Sequence, residues 1–329
     1  MNIMHALAER IRRGEPIPVA LAALLQALTP AVRAGMWFRL QGMRTRVDAR
    51  VISFGNITAG GTGKTPAVIE RAQKEIAAGR RVAVLTRGYG SRKETEPLLI
   101  AAGDAPDDLA ARVGDEPALI RRRVPGVVLV KAAQRVLGAR AAIEHGCDTL
   151  ILDDGFQHVA LQRDENVLVI DAVNPFGSGH LVPRGILREP LSAMGRATHV
   201  LLTRCDQARD VESLTAQVRK YCPQQPVRRA CHAPCGLWRV SDGQAAPLDT
   251  LRGEEVTALC GIGHPESFFR TLESLGAAVR SRVVLPDHGV IPADRIPRTG
   301  RVVTTEKDAM RLRDISDNVW ALAIELMDC

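Results

Sequence analysis

The chain has 329 residues, 46% hydrophobic and 25% charged, which suits a globular protein of about two domains and excludes disorder, collagen-like repeats and low-complexity scaffolds. Aromatic residues make up only 3%, too few for a stacking platform on single-stranded nucleic acid, so no nucleic-acid partner is expected. The net charge of +7 is mostly arginine; it fits phosphorylated substrates or an anionic membrane surface, and equally an arginine-preferring composition.

Residues 1–50 imitate a targeting signal. Arg10, Arg12 and Arg13 precede the run Pro18-Val19-Ala20-Leu21-Ala22-Ala23-Leu24-Leu25, but no small-residue cleavage site is evident after it. Leu21, Leu24, Leu25 and Leu28 keep the spacing of one helical face. Met36, Trp37, Phe38 and Leu40 follow, interleaved with Arg33, Arg39, Arg44 and Arg46. Apolar anchors rimmed by guanidinium groups suit a helix lying in a membrane interface; an ordinary core helix has the same spacing. No uninterrupted apolar run reaches the roughly 18 to 20 residues of a spanning helix, so no membrane crossing is expected.

From Val51 the chain alternates strands and helices. Val51-Ile52-Ser53-Phe54 and the runs at 81–86, 126–130, 149–153, 167–171 and 199–203 are apolar throughout, as strands covered on both faces are. A helical stretch at 132–145 separates two of them. The pattern predicts an α/β fold with a parallel sheet of the P-loop type over 51–225. It loosens between 224 and 247, where proline and glycine are frequent, and a smaller α/β domain is expected over 226–329.

The glycine-rich segment Gly55-Asn56-Ile57-Thr58-Ala59-Gly60-Gly61-Thr62-Gly63-Lys64-Thr65-Pro66 follows the first strand and opens a helix. In such a loop the backbone N–H groups of Thr58, Ala59, Gly60, Gly61, Thr62 and Gly63 surround nucleotide phosphates, Lys64 adds a mobile positive charge, and the Thr65 hydroxyl binds Mg²⁺. Thr58 stands where the usual pattern has its first glycine. The metal needs a carboxylate at the end of a neighbouring strand, and Thr149-Leu150-Ile151-Leu152-Asp153-Asp154 offers two. One reaches the metal and the other orients a ligand or water; the sequence does not say which. ATP and Mg²⁺ are therefore the expected cofactors.

A kinase acting on a small or lipid acceptor competes at this point with a P-loop switch or partitioning ATPase. The signature lysine of partitioning ATPases would fall at Ala59, and Thr203-Arg204-Cys205-Asp206 only partly imitates a guanine-reading motif. Cys222, Cys231, His232 and Cys235 could supply zinc ligands, although reduced thiols explain them as well.

Several segments together resemble the tetraacyldisaccharide 4'-kinase family of lipid A biosynthesis. They are the glycine-rich segment, Thr86-Arg87-Gly88-Tyr89-Gly90, Val113-Gly114-Asp115-Glu116-Pro117, Leu152-Asp153-Asp154-Gly155-Phe156-Gln157-His158 and Leu187-Arg188-Glu189-Pro190-Leu191. Cys260-Gly261-Ile262-Gly263-His264-Pro265, Asp287-His288 and Thr305-Glu306-Lys307-Asp308-Ala309 complete the order. Departures fall on the substrate side, at Thr86, Gly289 and Pro183-Arg184-Gly185-Ile186-Leu187.

The resemblance implies transfer of the ATP γ-phosphoryl group to the 4'-hydroxyl of tetraacyldisaccharide 1-phosphate, giving lipid IVA. It implies a place on the cytoplasmic face of the inner membrane; a monomer is expected, attached peripherally, with the smaller domain closing over the site. Asp115 is the implied base and His288 its partner, with Lys64 catalytic and Glu116 a metal or neighbouring ligand. Arg135 and Arg188 are the candidate contacts to the lipid substrate, because a guanidinium fork suits a lipid phosphate, with Gln157 and His158 near the sugar; a solvated arginine on the helix at 132–145 explains Arg135 as well.

Overall fold

The computed structural model describes residues 7–8, 10–12, 14–88, 96–104, 106, 109–285, 295–312 and 315–329. Its centre is a parallel sheet built from the continuous apolar runs. Strand β1 (Arg50–Gly55) lies between β5 (Thr149–Leu152) and β6 (Glu165–Asp171). Beyond β5 come β2 (Val82–Thr86), β4 (Val128–Lys131) and the antiparallel edge strand β3 (Leu98–Ile100); beyond β6 comes β7 (His199–Thr203).

Alternate residues of these strands face opposite layers. Ile52, Phe54, Val84 and Ile151 pack against Ala67, Val68 and Ala72 of helix α3 (Lys64–Ala77), and against Leu119 and Ile120 of helix α5 (Asp115–Arg123). Val51, Leu85, Leu150 and Leu152 meet Ala139 and Ala142 of helix α6 (Arg135–Glu144) on the other side. Helix α4 (Leu109–Val113) leads directly into α5. Both faces are dry, which is why these strands lack the alternation of a half-exposed sheet.

Strand β8 (Val227–Arg239) continues this sheet and changes partners along its length. Its start runs parallel to β7, while Ala230 to Arg239 pair antiparallel with β13 (Val319–Asp328). The pairing slips where Ala323 faces Gly236 but Ile324 faces Pro234, leaving Cys235 as the extra residue of a bulge. Beyond β13 the order is β12 (Arg301–Thr305), β10 (Glu255–Cys260) and β11 (Ala278–Val284), all parallel. The short β9 (Ala245–Ala246) pairs with β8. Helix α7 (Val211–Arg219) connects β7 to β8, and helix α8 (Pro265–Ser274) covers β10 through Phe268, Phe269 and Leu272. The short helix α9 (Glu306–Ala309) follows β12 directly.

The N-terminal helices α1 (Val19–Ala27) and α2 (Thr29–Leu40) stand apart from this core. No residue of α1 is buried, so the core-helix reading of the leucine spacing does not hold. Val19 is 85% exposed and Phe38 69%, and the Trp37 and Phe38 rings meet edge to face at 5.1 Å. Val19–Phe38 is a helical run of 20 residues, long and apolar enough to cross a membrane by length and composition. The exclusion drawn from uninterrupted apolar runs therefore fails, because helix geometry carries the run past Thr29, Pro30 and Arg33.

Candidate active site

The glycine-rich loop joins β1 to α3, and its neighbours fix it from both sides. Ala59 N–H donates to Ile186 O at 2.7 Å and Arg188 N–H to Ile57 O at 2.7 Å, so the segment at 186–188 forms one wall. Thr203 at the end of β7 donates its hydroxyl to Thr62 O at 2.9 Å from the other wall. Thr58 is buried, bridges to Leu187 and accepts from Asn56 Nδ2 at 3.3 Å, which shows how the loop accommodates the missing first glycine. Gly63 has φ +75°, and a Cβ there would lie 2.8 Å from His232 Nε2. Both the left-handed backbone and the imidazole require glycine at this position.

A cavity of about 230 Å³ opens above the helix start, lined by Gly61, Thr62, Gly63, Lys64 and Thr65. Ser267 and Phe268 of α8 and Lys307 of α9 face it from the second half of the chain. Thr58, Ala59 and Gly60 line a small adjoining cleft instead.

Asp153 and Asp154 follow β5, where Gly155 N–H donates to Phe54 O at 2.8 Å and holds the turn beside the end of β1. Their environments differ. Asp154 Oδ1 is 3.4 Å from Lys64 Nζ and its Oδ2 is 2.8 Å from an Arg188 nitrogen. Burial pushes its pKa up, but Lys64 and Arg188 together outweigh that and hold it at about 2. Asp153 is fully buried and its Oδ1 has no hydrogen-bond partner among the described residues. Burial first, then Glu116 and Asp154, raise its pKa to about 7 against the pull of Lys64 and Arg135. A cation beside Asp153 would relieve that cost, and the oxygen donors of Thr65 and Glu116 share the chemistry Mg²⁺ prefers. The residues present fit the ion.

Asp115 and Glu116 open α5, where acids complement the helix dipole. They point to different partners. Glu116 lines the cavity with Lys64, and its Oε1 is 3.1 Å from Lys307 Nζ. Asp115 is buried, accepts from Glu116 N–H at 3.0 Å, and has Oδ2 3.8 Å from Arg311 Nε. His288 lies outside the described residues.

The four candidate substrate contacts separate in the same way. Arg188 and Gln157 meet at 3.5 Å, and Gln157 Nε2 donates to Asn56 O and to Glu189. His158 is half-buried in the following turn. Arg135 is no solvated helix arginine: it is 3% exposed, donates to Ala132 O, and its Nε and second terminal nitrogen have no partner among the described residues. Burial lowers its pKa to about 10, against the attraction of Asp153 and Asp154. The proposed zinc ligands do not converge. Cys222 donates to Met194 O, Cys231 to Met327 O, Cys235 lies by Arg123, and His232 faces Gly63.

The sequence pattern of the family described as Tetraacyldisaccharide-1-P 4'-kinase matches residues 19–327. The chain belongs to that family. A tetraacyldisaccharide 4'-kinase of Anaeromyxobacter dehalogenans is 43% identical over 331 aligned residues, covering 95% of this chain and 86% of its own. The one from Pelobacter propionicus is 36% identical, covering 98% and 93%. A crystal structure of Aquifex aeolicus LpxK, described as an apo form in complex with ATP, superposes with TM-score 0.73 at 28% identity, covering 92% of this chain and 94% of that one. This chain is thus an ATP-dependent kinase of lipid A biosynthesis, on a P-loop α/β fold.

Sequence reasoning missed the residues that join the two halves. Arg123 of α5 pairs with Glu306 at 2.8 Å, and Glu306 also accepts from Trp238 Nε1 at 3.3 Å. Lys307 meets Glu116, Arg311 meets Asp115, and Asp308 pairs with Arg311 while accepting from Gly261 N–H at 2.9 Å. The motif Thr305-Glu306-Lys307-Asp308-Ala309 was visible, but its partners lie far off in sequence.

Proposed function

We propose that this chain transfers the γ-phosphoryl group of ATP to the 4'-hydroxyl of tetraacyldisaccharide 1-phosphate, giving lipid IVA, as a monomer on the cytoplasmic face of the inner membrane. The observation that carries this reading is the asymmetry of the two aspartates beside the P-loop lysine. Asp154 is satisfied by Lys64 and Arg188, while Asp153 keeps a buried oxygen for a cation. Thr65, Asp153 and Glu116 are the residues that would hold Mg²⁺. When bound, the ion offsets negative charge on the transferring phosphates.

The P-loop amides and Lys64 bind the phosphates and spread the charge that develops on them. Asp154 keeps Lys64 in place through their ion pair. Asp115 takes the proton of the acceptor hydroxyl, with His288 as its partner. The second half of the chain, 226–329, closes over the cavity lined by Lys307 and Phe268 and expels water, which limits wasteful hydrolysis. ADP release by purified protein should therefore depend on the disaccharide lipid. Equal ADP release with and without it would favour a hydrolase or switch.

Arg188 supports the lipid side of the reading. Its side chain is 33% exposed with one nitrogen on Asp154, leaving donors of the guanidinium fork for the acceptor. Arg188→Ala is expected to raise the lipid KM about tenfold and the ATP KM by less than about threefold, the pattern of lost acceptor binding. Steady-state kinetics with each substrate varied in turn measures the split. Equal rises would move Arg188 to the nucleotide.

The lack of any buried residue in α1 and the exposed Trp37-Phe38 pair support attachment of residues 1–50 to the membrane surface. Interfacial binding needs both apolar burial and attraction of arginines such as Arg33 to anionic headgroups. Replacing Leu21, Leu24 and Leu25 together by Ser should release the protein from anionic vesicles in flotation. Unchanged flotation would show that these leucines are not the anchor.

A further inference from the structure

The amide of Gln157 has both of its hydrogens engaged, which fixes what it can offer a ligand. Gln157 lies in the turn after β5, half-buried, and its Nε2 donates to Asn56 O at 2.8 Å and to Glu189 Oε1 at 2.9 Å. A carbonyl and an ionised carboxylate only accept, so the amide cannot turn over without setting its oxygen against both of them. Oε1 is therefore the polar atom left for a ligand; among the described residues it meets Arg188 alone, at 3.5 Å. An amide oxygen has two lone pairs, and so long a contact leaves room for a second donor.

Glu189 is itself held in place. It is buried, and both of its oxygens reach Arg196, Oε1 at 2.9 Å and Oε2 at 2.7 Å. The Arg196 guanidinium lies 4.6 Å over the ring of Phe156, which is fully buried. Arg196 closes the short helical turn Leu191–Arg196 that begins just after Glu189 and Pro190, so one segment supplies both members of the pair.

Resting on the reading of Arg188 and Gln157 as contacts to the lipid acceptor, we propose that Glu189 is a positioning residue: it locks the Gln157 amide so that Oε1 accepts a hydrogen bond from a hydroxyl of the acceptor sugar. The neighbouring guanidinium decides for a hydroxyl. Gln157 Oε1 can only accept, Arg188 can only donate, and the two stand side by side, the complement of a group that donates and accepts through one oxygen. A fully ionised phosphate offers Gln157 no hydrogen, and an amide N–H offers Arg188 no lone pair.

A double-mutant cycle on the full-length protein, with lipid KM, ATP KM and kcat measured for each member, tests this role. Gln157→Met keeps the length of the side chain and removes the accepting oxygen. Glu189→Gln keeps the shape of the carboxylate and lets the neighbouring amide turn. Each is expected to raise the lipid KM about tenfold, the scale of one hydrogen bond, with ATP KM and kcat within about twofold of wild type. In the Gln157→Met background, Glu189→Gln should add less than about twofold, because its effect passes through an oxygen no longer there. A glutamate that merely braced the loop wall would act equally in both backgrounds and would disturb the ATP KM as well. Equal effects of Glu189→Gln in the two backgrounds would overturn the proposal. So would a wild-type lipid KM in Gln157→Met, a result that needs no change at Glu189 and stands even if Glu189→Gln protein fails to fold. Wild-type protein whose ADP release ignores the lipid would instead overturn the acceptor reading beneath it.

Discussion

Replacing Asp153 by Asn is expected to lower kcat about 10²- to 10³-fold, the scale of a lost electrostatic group in a water-excluded site, while the nucleotide-free protein melts no lower than wild type. The two effects have one cause. Asp153 is a buried carboxylate whose Oδ1 finds no partner among the described residues, beside Glu116 and Asp154. Burial chiefly, then those two acids, raise its pKa to about 7. A carboxyl whose folded-state pKa is raised holds its proton more tightly folded than unfolded. Its favourable contribution is present below the ordinary carboxylate range and is lost as pH rises through about 7. Asparagine carries no charge at any pH, so the variant's melting temperature should gain on wild type between pH 5 and pH 8. Melting curves at both pH values, with turnover measured alongside, check the pair. A variant that melted lower at pH 8, or kept its kcat, would show that Asp153 is structural.

The second large effect belongs to Asp115. Asp115→Ala should cut kcat by about 10² or more at saturating lipid, the scale of general-base loss, with ATP affinity near wild type. Glu116, one residue on, lines the P-loop cavity, whereas Asp115 turns toward Arg311. Arg311 is also held by Asp308, so it keeps a carboxylate partner in the variant. The folding cost should therefore be modest, and kcat can be read on a folded protein whose melting temperature is measured in parallel. A near-normal kcat would remove Asp115 from proton transfer and leave Glu116 or His158 as the base to test.

What the sequence made legible is what chemistry compresses into contiguous residues. The P-loop needs glycines, a lysine and a hydroxyl within a few positions, and Asp153-Asp154 must follow a strand that runs beside it. Both therefore stand out in one dimension. The parallel strands were legible for a related reason: layers on both faces make every residue of Val82–Thr86 apolar or small, so the run is continuous.

Long-range pairing left no such trace. Strand β8 read as a loosened stretch because Pro234 and Gly236 flank its bulge and because its register is set by β13, about ninety residues later. Glu116 and Lys307, Arg123 and Glu306, and Gly63 and His232 are likewise neighbours only after the sheet has formed. Arg135 shows the same limit at one residue. A helix position says that an arginine can be solvated, and only the packed structure shows it buried beside the aspartates. At the N-terminus, leucine spacing fitted a core and an interface equally, and the lack of any buried residue in α1 removed the core.

The proposed reaction carries the phosphoryl group from ATP to one hydroxyl of a lipid disaccharide. It is tested most directly by incubating purified full-length protein in detergent micelles with γ-³²P-labelled ATP, Mg²⁺ and tetraacyldisaccharide 1-phosphate, then locating the label. Label is expected on the lipid as a second phosphate, at the 4'-position, and none there with Lys64→Ala protein. Label appearing only as inorganic phosphate, or on another acceptor while the lipid stays unlabelled, would contradict it.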